Sequence, residues 1–171
     1  METLLARQNM VALHNYAYYP GDCFFDSMEW LTGVPSSFIR QIAMKKLRYN
    51  LSILHRPTMT IFANVHGNTQ IPGLDVFGME ITEYTTNMGT SCRSSRYALW
   101  ADLPAVQCTA EALNVVIVVH QYNADTARES TQMYQPCYDI IDIDLPKYHV
   151  LFSGPSDAGH YTPIGQQGAS P

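Results

Sequence analysis

A cysteine at the start of a predicted helix is the residue best suited to nucleophilic chemistry. Cys23 follows the turn-like sequence Pro20-Gly21-Asp22, and apolar residues recur at helical spacing from Phe24 to Leu31. The amides and dipole of a helix N-terminus lower the pKa of a thiol from ~8.5 and favour the nucleophilic thiolate. The same turn directs backbone N–H groups outward, so Gly21, Asp22 and Cys23 are predicted to form an oxyanion hole. The alternative is that Cys23 is a small buried side chain.

A cysteine nucleophile needs a base, and His160 is the preferred candidate. It follows Gly159, opens the strand-like segment His160–Ile164, and lies 137 residues after Cys23. A histidine at the start of a strand can present its imidazole at the rim of a cleft. The other five histidines lie in strand-like or irregular segments or near the N-terminus, and we assign them no catalytic role. They are His14, His55, His66, His120 and His149.

The remaining cysteines do not form a recognisable metal or redox motif. The four thiols are 69, 16 and 29 positions apart, so no C-x-x-C is present. Cys92, Cys108 and Cys137 are interpreted as inert thiols. The N-terminus lacks the apolar stretch of a secretory signal, so we expect reduced thiols and an intracellular, cytoplasmic protein.

Length and composition are typical of one globular domain. The 171 residues are 46% apolar and only 15% charged, which excludes disorder of the highly charged kind. The longest aliphatic run has five residues, Val115–Val119, whereas a membrane helix needs ~20. The net charge of −5 argues against a nucleic-acid-binding surface. We expect one domain over residues 1–165 and a polar tail over residues 166–171.

The predicted elements place most helices before most strands, which indicates an α+β fold with a small sheet. Helices are predicted from Cys23 to Gly33, from an N-cap at Ser36 or Ser37, over Ile81–Met88, and from Leu103 to Asn114. Strands are predicted at Val115–Val119, Tyr138–Ile143, Tyr148–Phe152 and His160–Ile164, with a short one at Met59–Phe62 inside an otherwise irregular region, 50–78.

Three segments together resemble the ovarian tumour (OTU) family of cysteine proteases. Tyr19–Trp30 is similar to the family's nucleophile segment, Asp-Gly-Asp/Asn-Cys-Leu/Phe-Phe followed by a helix. Trp100–Val119 is similar to a second block, in which a Trp precedes an amphipathic helix and a buried strand. Gly159–Ile164 is similar to the third block, which carries the histidine. The segments occur in the family's order, and the resemblance implies a papain-like fold with helices flanking a central sheet.

The resemblance implies hydrolysis of isopeptide or peptide bonds after the C-terminus of ubiquitin or a ubiquitin-like modifier. Cys23 would attack the carbonyl, and His160 would accept the thiol proton and pass it to the leaving amine. No metal or organic cofactor is required. Gly159 and Tyr161 would line the substrate groove, and added bulk at Gly21 or Gly159 is expected to block substrate before it harms stability.

Two positions depart from the family pattern. Pro20 replaces an Asp, and because proline has no N–H the oxyanion hole must depend on the residues after it. Thr162 stands where the family usually has the Asp or Asn that orients the histidine. Thr162 is therefore the candidate third member. Asp157 or Asn15 could replace it, or a Cys–His dyad could act alone.

Two other functions remain open from the sequence. One is a papain-like protease that processes a viral polyprotein, in the cytoplasm of a host cell. The other is a catalytically inactive OTU-like module that binds ubiquitin, although Cys23 and His160 are both present. Region 50–78 occupies the position where relatives build ubiquitin contacts.

Overall fold

Five helices precede most of a five-stranded sheet in the computed structural model, which describes residues 10–12, 21–66, 81–123, 126–136, 144–154 and 159–166. The helices are α1 (Cys23–Thr32), α2 (Ser36–Ser52), α3 (Arg56–His66), α4 (Ile81–Met88) and α5 (Leu103–Leu113). The strands are β1 (Met10–Ala12), β2 (Val116–Asn123), β3 (Arg128–Tyr134), β4 (Lys147–Ser153) and β5 (His160–Gln166). This arrangement confirms the α+β prediction.

The sheet is mixed, with the strand order β1-β5-β4-β2-β3. Only the β2–β4 pair is parallel, and the other described pairs are antiparallel. In the β4–β5 pair, Ser153 lies opposite His160 and Leu151 lies opposite Thr162. The start of β5 therefore lies at the end of β4, where the candidate base enters the sheet.

Local signals explain where the helices begin and end. Gly33 adopts a left-handed conformation with φ of 75° and ends α1. The Asp102 side chain caps α5 by accepting a hydrogen bond from the Ala105 amide, and Pro104 lies in its first turn. Asn114, also left-handed, ends α5. The predicted boundaries of these two helices are confirmed.

The main core joins the helices to one face of the sheet. Alternate residues of β2 and β4, such as Ile117, Val119 and Val150, are buried in one cluster with the apolar faces of the helices. On α1 this face includes Phe24, Phe25 and Met28, each no more than 1% exposed. This burial fixes the orientation of α1 against the sheet, and with it the position of Cys23.

The short strand predicted at Met59–Phe62 is wrong, because these residues belong to α3. Thr58 and Phe62, one helical turn apart, are each 2% exposed, which is the spacing of a helix face. Pro57 lies in the region predicted to be irregular, yet it occupies the first turn of α3, where a proline costs no hydrogen bond.

Two strands, β1 and β3, were not predicted from the sequence, and some helix and strand boundaries differ from the predicted ones. β3 has no apolar alternation, since every residue before Tyr134 is exposed. β1 has three residues. Pro35, not a serine, is the N-cap of α2, and β5 continues through Gln166 into the predicted tail. The strand predicted at Tyr138–Ile143 and residues 167–171 lie outside the described residues.

Among the described helices, none combines the length and apolar character needed to cross a lipid bilayer.

Candidate active site

Hydrogen bonds at Tyr161 hold helix α1 against β5. The Tyr161 amide donates to Cys23 Sγ at 3.4 Å, and Ser27 Oγ donates to the Tyr161 carbonyl at 3.4 Å. Ser27 lies one helical turn after Cys23 and also donates to the Cys23 carbonyl at 2.6 Å. These contacts bring the backbone next to His160 against the thiol, although 137 residues separate Cys23 from His160.

Strand alternation places His160 and Thr162 on one face of β5 and Tyr161 on the other. The Tyr161 ring packs into the core against Phe24 and Phe152, with ring centroids 5.1 and 4.8 Å away. Tyr161 is 7% exposed, so its side chain supports the core. Its place in a substrate groove stays a prediction. Thr162 is 6% exposed and shares the face of the candidate base.

Burial disfavours charge on both candidate catalytic groups. Burial raises the pKa of the Cys23 thiol, and the Asp26 carboxylate adds to this rise, while the amides of Tyr161, Phe24 and Cys23 oppose it. Burial lowers the pKa of the His160 imidazole. Both shifts favour the uncharged forms of these two groups, a thiol and an imidazole.

The turn before Cys23 has glycine at the position where the backbone is left-handed, and its role as an oxyanion hole stays a prediction. Gly21 has φ of +86°, a left-handed conformation that favours glycine. A Cβ added there would lie 2.5 Å from Trp100 Nε1. The turn is buried, and α1 starts directly after it with its first amides unpaired within the helix. Pro20 lies outside the described residues.

A buried ion pair, which was not predicted from the sequence, links this turn to α2. Asp22 is the N-cap residue of α1, yet its side chain makes no capping hydrogen bond. Its carboxylate accepts from Arg40 of α2 at 2.7 Å, and both side chains are 0% exposed. Arg40 also donates to the Gly21 carbonyl at 3.1 Å. A lone arginine on the apolar face of a predicted helix is the signal that could have indicated this pair.

Gly159 does not leave open space beside the site. A Cβ added at Gly159 would overlap the Phe152 ring, and at Gly21 it would overlap Trp100 and Cys92. The expectation that bulk at these glycines blocks substrate before it harms stability is therefore wrong, because both substitutions disturb packing first. Their place in a substrate groove stays a prediction.

Other predicted residues are distributed as follows. Trp100, at the start of the second family-like segment, is 47% exposed beside Gly21. Cys108 is buried and Cys92 is half-buried, and burial raises the pKa of both thiols. His14, Asn15, Cys137 and Asp157 lie outside the described residues. Within the described ranges, no three His, Cys, Asp or Glu residues come together as a metal site.

No family model matches this chain, and no curated protein is significantly similar to it in sequence. Solved structures are similar in fold. The OTU domain of OTUD1 superposes with a TM-score of 0.62 at 16% identity, covering 96% of this chain and 91% of that domain.

Two further structures extend the likeness to bacterial and viral proteins. An OTU deubiquitinase from Wolbachia pipientis wMel, bound to ubiquitin, has a TM-score of 0.59 at 19% identity, covering 95% of this chain and 99% of its own. The viral OTU domain protease from Farallon virus has a TM-score of 0.56 at 17% identity, covering 91% and 88%. The chain has the OTU fold, and the last two of these solved examples are a deubiquitinase and a protease.

Proposed function

We propose that the protein is a deubiquitinase, a thiol hydrolase that cleaves after the C-terminus of ubiquitin or a ubiquitin-like modifier. The single observation that carries the proposal is the contact between Cys23 Sγ and the amide next to His160, made within an OTU fold. A nucleophile at a helix N-terminus beside a histidine on the adjoining strand is an arrangement for acyl transfer.

The proposed reaction starts from the neutral pair. Cys23 attacks the carbonyl carbon of the scissile bond while its proton passes to His160. The oxyanion that forms accepts hydrogen bonds from amides of the turn, for which Gly21, Asp22 and Cys23 each have an N–H group. Collapse of this intermediate breaks the C–N bond, and His160 donates its proton to the departing amine.

Water completes the proposed cycle. His160, now neutral, accepts a proton from a water molecule that attacks the thioester carbonyl. The second tetrahedral intermediate expels the Cys23 thiolate, which recovers its proton from His160. The acid product is the free C-terminus of the modifier, and the enzyme returns to its starting protonation.

Ubiquitin is the proposed partner because the Wolbachia deubiquitinase of the same fold is bound to ubiquitin. A polyprotein-processing protease would use the same chemistry on another substrate, and an inactive module would bind ubiquitin without turnover. The experiment must therefore separate reaction at the thiol from binding.

Ubiquitin carrying a C-terminal electrophile is expected to form a covalent adduct with the wild-type protein at Cys23, located by peptide mapping. Cys23→Ala is expected to abolish the adduct and chain cleavage while it still binds ubiquitin. Cys92→Ala is the matched control, since it removes a half-buried thiol, more exposed than the other described cysteines, and is expected to leave labelling intact.

Three results would contradict the proposal. An adduct at another cysteine with Cys23 untouched would displace the nucleophile. Binding of ubiquitin without adduct or cleavage would support the inactive module. Labelling by probes of other modifiers, with none by ubiquitin, would change the substrate class.

A further inference from the structure

An arginine from the segment between α4 and α5 contacts both acidic side chains of the nucleophile turn. Arg93 donates to the two carboxylate oxygens of Asp26 at 2.9 and 2.7 Å, a bidentate pair. It also donates to Asp22 Oδ2 at 3.3 Å. The amides of Cys92 and Arg93 donate to Asp22 at 2.8 and 3.3 Å, so backbone and side chain both attach this segment to the turn.

The two carboxylates lie where negative charge works against the reaction. Asp22 immediately precedes Cys23, and Asp26 follows it within the first helical turn. A thiolate forming at Cys23 would be repelled by either of them if left uncompensated. Both acids are buried, at 0% and 4% exposure, so water screens them weakly.

Two arginines balance the negative charge of these carboxylates, and the surroundings of the two arginines differ. Arg40 is fully buried and pairs with Asp22, whereas the Arg93 side chain is 45% exposed. Arg93 is therefore held by the carboxylates and not by the core, and it can be replaced without emptying a packed site.

We propose that Arg93 is a positioning residue that fixes the N-terminal turn of α1 and neutralises Asp26 beside the candidate nucleophile. The inference rests on the proposed function for its effect on turnover, but its effect on the thiol can be measured without a substrate. The rise that Asp26 causes in the pKa of Cys23 agrees with the direction of this effect.

Other charged and titratable groups also surround the turn. They come from α1, α2, the segment carrying Arg93, and β5, and are Asp22, Asp26, Arg40, Cys92, His160 and Tyr161.

The experiment measures the rate of Cys23 alkylation by iodoacetamide against pH, with each adduct mapped to Cys23. Arg93→Ala is expected to slow alkylation at pH 7 by about threefold and to move the profile to higher pH, because Asp26 loses its counter-charge. Asp26→Asn is expected to shift the profile in the opposite direction. The double variant is expected to return close to the wild-type profile.

The double variant separates an electrostatic role from a merely structural one. If Arg93 only held the segment in place, removing Asp26 as well could not restore the thiol, and the proposal would fall. Arg96→Ala is the matched control, since Arg96 is an exposed arginine of the same segment whose guanidinium lies by Tyr97. An equal shift in Arg96→Ala would also overturn the proposal, because it would reflect net charge alone.

Turnover distinguishes this inference from the proposed function. On a fluorogenic ubiquitin substrate, Arg93→Ala is expected to lower kcat/KM by a factor similar to the alkylation loss, with Arg93→Lys recovering part of it. If the wild type cleaves the substrate but the alkylation profile of Arg93→Ala is unshifted, the inference about Arg93 is refuted and the proposed function is not. A shifted profile in a protein that cleaves no ubiquitin substrate would refute the proposed function alone.

Discussion

At the scale of single residues, the weakest point of the proposed site is the third member. Thr162 shares a strand face with His160 and is buried, but a hydroxyl cannot stabilise an imidazolium as a carboxylate does. Burial also lowers the pKa of His160, so the protonated base is already disfavoured. We therefore expect the Cys23–His160 ion pair to be less favoured than in a complete triad.

Thr162→Ala is expected to lower kcat/KM on a fluorogenic ubiquitin substrate by roughly tenfold or less, equal to at most ~1.4 kcal/mol of transition-state stabilisation. His160→Ala is expected to remove nearly all turnover because the base is lost. Thr131→Ala, at an exposed threonine of β3, is the control and should change neither kcat nor KM. A loss in Thr162→Ala as large as in His160→Ala would make the hydroxyl an essential triad member.

At the scale of elements, the parallel strands β2 and β4 are joined by two histidines. His120 Nε2 and His149 Nδ1 are 2.9 Å apart, and the rings are stacked with centroids separated by 5.2 Å. One nitrogen must donate and the other accept, so the contact needs at least one neutral ring. Burial lowers the pKa of both, aided by the His149 charge at His120 and by Lys147 at His149.

This pair predicts that the free energy of unfolding falls in mild acid. Because the folded-state pKa values lie below the ordinary 6.5, the unfolded chain binds more protons below pH 6.5. The stabilisation from this pair is complete above pH 6.5 and is lost as the pH falls through the folded-state pKa values of the two histidines. Urea unfolding between pH 7.5 and 5 is expected to show this decline, and His120→Gln with His149→Gln should flatten it. An unchanged pH slope in the double variant would contradict the assignment.

At the scale of the whole molecule, Arg40 joins segments that are far apart in the chain. Its guanidinium donates to the Met88 carbonyl at 2.7 Å, to the Leu99 carbonyl at 2.9 Å and to the Gly21–Asp22 turn. It also lies 4.2 Å from the centroid of the Phe25 ring. The end of α4, the segment before α5 and the nucleophile turn therefore depend on one buried cation.

Arg40→Met is expected to destabilise the fold by about 3–5 kcal/mol, because it leaves Asp22 buried without its main counter-ion. Arg48→Met is the matched control on the same helix. Arg48 donates to the hydroxyls of Thr85 and Thr86, so its loss should cost about 1 kcal/mol or less. Urea unfolding of both variants provides the comparison. Similar losses in the two would show that Arg40 has no special role in joining these segments.

The sequence by itself determined the local parts of this protein. The starts of α1 and α5, the buried strand β2 and the order of helices before strands follow from caps, periodicity and β-branched runs. These signals lie within a few residues of the structure that they specify, so the chain reveals them directly. The three family-like segments also placed Cys23 and His160 at the starts of α1 and β5, which the structure has.

Only the tertiary structure decided which side chains meet. The Tyr161 amide contacts Cys23, and Asp22 pairs with Arg40 and Arg93. No helical or strand periodicity relates the positions of these residues in the sequence. The exposure of Trp100 likewise depends on how its segment packs against Gly21. β3 was invisible because an exposed edge strand buries no face and needs no apolar alternation. Such features arise from long-range packing, which local propensity does not encode.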